Sequence, residues 1–319
     1  MPIMTICRTS ALLLVVALTA AGAARAAGIT VHDARDRDVQ IENPARIVSI
    51  GGAITEILYA LGFEDRLAGV DSTSLYPSAA LRDKPNVGYM RQLSAEGVLG
   101  LNPSLVLAMQ GSGPKETIEI LEAAKVPLVL VPETFSEQGL LDKIALVGRA
   151  MDATPRAACL SKAVTEDLVQ LRELRGKVAK PVRVMFVMSL LNGRAMAAGR
   201  NTAANEIIQL AGAVNAIDGY EGYKPINDEA IIAAKPDVVL SIARGKDSVE
   251  AEAVFAHPAF ALTPAAGNKA FISMEGLYLL GFGPRTAAAA RDLSLKLYPA
   301  LAPQAEKFTP AALSADCRK

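Results

Sequence analysis

The sequence predicts an α/β protein of two pseudo-symmetric α/β lobes with parallel sheets, joined by one long α-helix. Three observations carry that reading: the length and composition, an internal duplication, and an unbroken helical stretch between the duplicated halves. At 319 residues the chain suits two lobes, each able to bury a core. Hydrophobic residues make up 51% while aromatics are only 5%, with no Trp. That composition fits an Ala/Val/Leu-rich α/β protein better than a β-sandwich or a carbohydrate binder.

The duplication appears when the halves are aligned. Leu93 to Leu107 reads as a capped helix, an Asn102-Pro103 stop and a buried strand, and Ile226 to Leu240 repeats that plan with Lys235-Pro236 at the stop. Glu96 and Glu229 then correspond, 133 residues apart. Upstream, the strand Arg46 to Ile50 and the helix around Thr55 to Gly62 resemble the strand Arg183 to Val187 and the helix Asn205 to Gly212. Continuous apolar strands such as Val126 to Val131, alternating with helices, imply parallel sheets covered on both faces.

Between the halves Thr154 is a good N-cap, Pro155 fits the first helical position, and no Gly or Pro follows until Gly176. A helix of about 21 residues spans roughly 30 Å, a stiff connector that makes lobe closure modest. The resulting organisation is a first lobe over 27–152, a connecting helix over 153–180 and a second lobe over 181–319. Residues 1–26 read as a cleavable signal peptide: Arg8 supplies the positive start, Ala11 to Ala20 the apolar run, and Ala24-Arg25-Ala26 the cleavage site. The run is short for a membrane span. Cys7 precedes the run, so it is not placed to carry a lipid.

Cleavage removes two basic residues and no acidic one, leaving a net charge of about −2, which argues against nucleic acid or an anionic membrane as partner. Cys159 and Cys317 remain. The sequence leaves open whether they approach closely enough to bridge, so both read as structural or incidental.

The mature chain holds only His32 and His257, too few for a His-clustered zinc or manganese site, and both read as isolated surface residues. No G-x-S-x-G elbow is present, so nucleophilic catalysis is the minority reading. Gly51-Gly52 lacks both the Rossmann spacing and a Walker Lys, and reads as a tight turn.

The segment Asn86 to Ser94 is different, because it sets Tyr89 and Arg91 two apart in a loop just before a capped helix. A guanidinium and a ferric ion both favour a phenolate, a hard anionic oxygen suited to Fe(III). On spacing alone, a loop Tyr that packs its ring and exposes its hydroxyl is the better fit.

With Gly88 to Gly97, Ala197 to Ala204 and Leu279 to Thr286, the chain resembles the periplasmic haem-binding proteins of bacterial haem ABC importers, a group within the class III periplasmic binding proteins. The likeness spans nearly all of the mature chain. It implies haem as cargo, bound as ferric iron through the phenolate of Tyr89, with Arg91 stabilising that oxygen. Some members carry a His ahead of the Ala-Ala-Gly segment that binds a second, stacked haem. Here Met188 to Arg194 contains no His, so five-coordinate iron is the expectation, with Asn192 or Arg194 contacting a haem edge or propionate. Arg194, Lys224 and Arg244 are candidate propionate partners. Tyr220 and Tyr223 either line the porphyrin face or pack their loop.

Glu96 and Glu229 each complement the start of a helix. The resemblance implies more: such glutamates, one per lobe, dock on the permease of an inner-membrane importer comprising permease and ATPase, with an outer-membrane haem receptor upstream. The location expected is the periplasm. The alternative kept open is another iron chelate or a corrinoid such as cobalamin in the same cleft.

Overall fold

The computed structural model describes residues 28–306 and 308–319; the predicted signal peptide lies outside them. The first lobe opens with a hairpin, β1 (Ile29–His32) and β2 (Asp38–Ile41). It continues as β3 (Ile47–Ile50), α1 (Gly52–Ala60), β4 (Leu67–Val70), α2 (Ala79–Asp83), α3 (Ala95–Leu99), β5 (Leu105–Met109), α4 (Lys115–Ala123), β6 (Leu128–Val131) and α5 (Glu137–Ala150). The sheet order is β4-β3-β5-β6, all parallel. Every residue of these four strands is buried, as strands covered by helices on both faces require.

The connector is α6 (Thr154–Arg175), 22 residues. It starts one residue earlier than the sequence suggests: Ala153 is the N-cap, no side chain caps it, and Pro155 follows inside the first turn, where its missing N–H costs nothing.

The second lobe comprises β7 (Arg183–Leu191), β8 (Arg194–Ala198), α7 (Ala203–Leu210), β9 (Val214–Asn215), β10 (Tyr223–Ile226), α8 (Asp228–Ala234), β11 (Val238–Ala243) and β12 (Phe271–Glu275), followed by further helices including Thr286–Leu297. Its sheet, β10-β8-β7-β11-β12 with β9 beside β7, is not wholly parallel as the sequence suggested. β7, β9, β11 and β12 are parallel, but β8 runs antiparallel to both β7 and β10.

The two halves pair corresponding strands in the same way. Ile47 pairs with Leu105 and Val184 with Val238, so β3 and β7 correspond at an offset of 137 residues and their partners β5 and β11 at 133. Ser94 caps α3 by accepting from Gly97 N, and Asn227 caps α8 by accepting from Ala230 N. Asn102 and Lys235 both turn left-handed at the helix ends (φ 47° and 44°). The departure is local. Where Gly51 alone turns β3 into α1, the second lobe inserts a hairpin over 188–202, whose tip Asn192-Gly193 has both φ values positive (50° and 72°) and matches the twist of its strands.

The tail runs back along the connector. Asp167 on α6 accepts from Ala311 N (2.6 Å) and Ala312 N (3.0 Å), Gln170 accepts from Thr309 N (3.0 Å), and Arg318 pairs with Glu64 of the first lobe. Cys159 and Cys317 form a disulfide with their Cα atoms 5.6 Å apart, so these two cysteines strap the tail to the connector across 158 residues of sequence.

Candidate functional site

In both lobes the parallel strands end toward the opposite lobe, the usual place for a ligand in α/β architecture. In the first lobe a buried carboxylate organises those ends. Asp71 accepts from Gly51 N (2.9 Å), Thr73 N (3.0 Å), Thr73 Oγ1 (2.8 Å) and Ser74 Oγ (3.1 Å). Gly51, at φ 116°, makes the tight turn the sequence suggested.

That frame holds the loop with the Tyr-x-Arg pair. Ser72 N donates to Gly88 O (2.8 Å), Gly113 N to Met90 O (2.9 Å), and Leu93 N to Gly113 O (2.8 Å). Gln92 N closes a turn on Tyr89 O (2.8 Å). Gly88 sits at φ 94°, a conformation a side chain would resist. Met90 and Leu93 are buried and anchor the loop, which leaves Tyr89 42% exposed and Arg91 exposed. The backbone is fixed while the phenol and guanidinium stand free of the core.

Arg91 faces a charged cleft wall. The Glu133 carboxyl is pushed up by burial, against the pull of Lys143 and Arg91. From the second lobe, Tyr223 packs edge-on to Phe186 (6.2 Å between ring centres), and burial pushes its phenol up, opposed by hydrogen bonds at Ala204 and Thr202. Glu133 and Arg91 lie close enough to influence it too. Tyr223 therefore reaches the start of α7 and looks across the cleft, whereas Tyr220 packs its loop: its hydroxyl donates to Ala197 O (3.0 Å), and its ring lies where a Cβ on Gly199 would stand.

The remaining second-lobe candidates divide. Arg244 follows the cleft end of β11 and lies against Met188 Sδ. Lys224 stacks on Tyr220 (5.3 Å). Asn192 and Arg194 occupy the hairpin tip beside exposed Leu191, and Arg194 lines a groove with Pro225, Asn227, Asp228 and Glu229. The structure thus sets Arg194 beside Glu229 rather than beside Arg244. Glu96 and Glu229 are both exposed, each in the first turn of its helix.

His257 differs from the surface residue the sequence suggested. Its side chain is 10% exposed, its Nε2 lies 2.9 Å from Gly193 O and its Nδ1 accepts from Ala259 N, so it pins the hairpin tip. His32 does stay on the surface, beside Asp36 and Asp38.

Sequence reasoning missed the contact between the lobes. Glu56 on α1 pairs with Arg285 (3.0 Å), and Lys143 on α5 donates to Phe282 O (3.1 Å). Leu277 fills the space a Cβ on Gly52 would need. The Leu279 to Thr286 segment thus seats the second lobe on the first.

Residues 47–276 match the model of the periplasmic binding protein family. The chain belongs to that family. It is similar to the solved periplasmic haem-binding protein BhuT in complex with two haems (39% identity, 81% of this chain and 99% of that one, TM-score 0.76). It is equally similar to RhuT, a periplasmic haem-binding protein from Roseiflexus sp. RS-1 solved in apo form (39% identity, 80% and 98%, TM-score 0.76). Among curated proteins it is 28% identical over 275 residues to the ABC transporter substrate-binding lipoprotein YvrC of Bacillus subtilis, covering 85% of this chain and 86% of that one. The vitamin B12-binding protein of Yersinia pestis is more distant, at 23% identity. The family sets the chain in the periplasm as a binding protein. No helix among the described residues is long and apolar enough to cross a membrane.

Proposed function

We propose that the chain captures haem in the interlobe cleft, with Tyr89 as the ligand to ferric iron, and delivers it to an inner-membrane ABC importer without catalysing a reaction. The observation that carries this is the half-exposed Tyr89 on a backbone-pinned loop, with Arg91 two residues on and the second lobe opposite. A phenolate is a hard anionic ligand, and a guanidinium close by offsets its charge. The 39% identity to two haem-binding proteins supports haem over a corrinoid.

Met188 to Arg194 contains no His and both ring nitrogens of His257 are engaged at the hairpin tip, so this reading assigns the protein–iron bond to Tyr89 whether one haem is held or two stack. Arg244 and Tyr223 are the second-lobe groups best placed at the cleft; Asn192 and Arg194 reach cargo only at its hairpin-side edge. Glu96 and Glu229, exposed in equivalent positions, would meet a two-fold permease. An outer-membrane haem receptor upstream and export by the signal peptide complete the route.

Titration with hemin, with cyanocobalamin and with a ferric siderophore tests the ligand. A high-spin ferric spectrum of Tyr-ligated type is expected with hemin alone; tight cobalamin binding without that spectrum would replace haem by the corrinoid.

A further inference from the structure

The lobe contact brings together three charged side chains from distant parts of the chain. Lys143 is 2% exposed although it is a lysine, Glu56 is 5% exposed and Arg285 is 12% exposed. Lys143 donates to Phe282 O of the opposite lobe, and Arg285 reaches Glu56 with both its guanidinium (3.0 Å) and its backbone N (3.1 Å). The Arg285 guanidinium also stacks on Tyr76 (3.7 Å), and Phe135 meets Phe282 edge-on (5.4 Å). Charges alternate through this contact: Arg285, Glu56, Lys143 and Glu133, with Arg91 of the ligand loop at the far end.

A buried charge stays favourable only while its partners stay in place. Swinging the lobes apart at this point would strip Lys143 of Phe282 O and Glu56 of Arg285 together. The apolar core is likewise continuous here, joining first-lobe Ile54 and Ile144 to second-lobe Phe282 and Leu279 in one cluster. A large apolar contact between lobes suppresses the motion that small polar ones allow.

The geometry points to Lys143, with Glu56 and Arg285, as the positioning residues for haem capture: they form a fixed fulcrum that sets the width of the cleft and holds the wall facing Arg91. Cargo then enters and leaves by movement on the Tyr89 side while this side stays closed. Tyr89 binds the iron; Lys143 decides where the second lobe stands when it does. The role in haem capture rests on the proposed function, but the fulcrum itself is testable without haem.

Spin labels on Lys125→Cys and Glu252→Cys, one exposed site per lobe, report the interlobe distance by pulsed electron resonance. The expected result is one narrow distribution without haem that hardly moves on loading. Lys143→Met and Arg285→Leu should broaden it toward longer distances, Arg285→Lys should keep it narrow, and haem should leave Lys143→Met about tenfold faster, since such changes act mainly on dissociation. A folded Lys143→Met with an unchanged distribution overturns the fulcrum, as does a wild type that is equally broad. Failure to bind hemin, with the distance results as expected, removes the haem reading and leaves the fulcrum.

Discussion

The first and second lobes match in strand pairing and, 133 residues apart, in their helix caps and left-handed stops, yet one inserted hairpin separates them. In the first lobe Gly51 turns the chain straight into α1, so the helix start and Glu56 press on the second lobe and the Tyr89 loop lies open beside them. In the second lobe the same turn is expanded into β7 and β8, whose tip reaches the Glu229 surface. Duplication copied the scaffold; the chemistry diverged at the loops that end the strands.

The comparison breaks first, if it breaks, at the symmetric pair of glutamates. Reversing both charges, Glu96→Lys with Glu229→Lys, should lower haem uptake by a reconstituted importer at least tenfold while hemin titration of the variant stays unchanged. Single reversals should cost similar amounts. A large effect from one lobe alone would show that the hairpin has made docking asymmetric.

The first lobe's buried lysine gives a second test. Burial pushes Lys143 down to about 8, with Glu133 and Glu56 opposing the shift. The ordinary value is about 10.5, so between these pH values the unfolded chain binds the extra proton and stability rises with pH. Unfolding free energy of the wild type minus that of Lys143→Met should therefore climb by about 2–3 kcal/mol from pH 8 to pH 10.5. A flat difference would place the ammonium in water, and a falling one would mean that Glu133 and Glu56 outweigh the burial.

The smallest effect probes the scaffold. Ser94→Ala and Asn227→Ala each remove one helix cap and should each cost about 1 kcal/mol in denaturant unfolding. Equal costs sharpen the pseudo-symmetry; a silent change in one lobe would show that its cap is not holding its helix.

The scaffold was legible because it is written locally. Buried parallel strands read as apolar runs, the caps Ser94 and Asn227 precede their helices, and the duplication fixes the register. The hairpin was not legible, since Met188 to Ala198 continues an apolar strand and only Asn192-Gly193 marks a turn. Tyr89 was legible as a candidate through its spacing to Arg91 and the family resemblance. The interlobe contact joins residues 139 and 229 positions apart, beyond any periodicity. One signal did exist: Glu56 lies among Ile54, Ile57 and Leu58, and Lys143 beside Leu140, Ile144 and Val147, so each is a charge on a core-facing stripe. The disulfide likewise depended on the fold bringing Cys317 back to Cys159.

The unequal chemistry of the lobes is tested most directly by resonance Raman and absorption spectra of hemin-loaded Tyr89→Phe beside Arg244→Ala. Tyr89→Phe should lose the tyrosinate–iron signature and at least about a hundredfold in affinity, roughly 3 kcal/mol, while Arg244→Ala keeps the signature and binds more weakly. A tyrosinate signature that survives in Tyr89→Phe would move the iron ligand off the first-lobe loop and contradict the account.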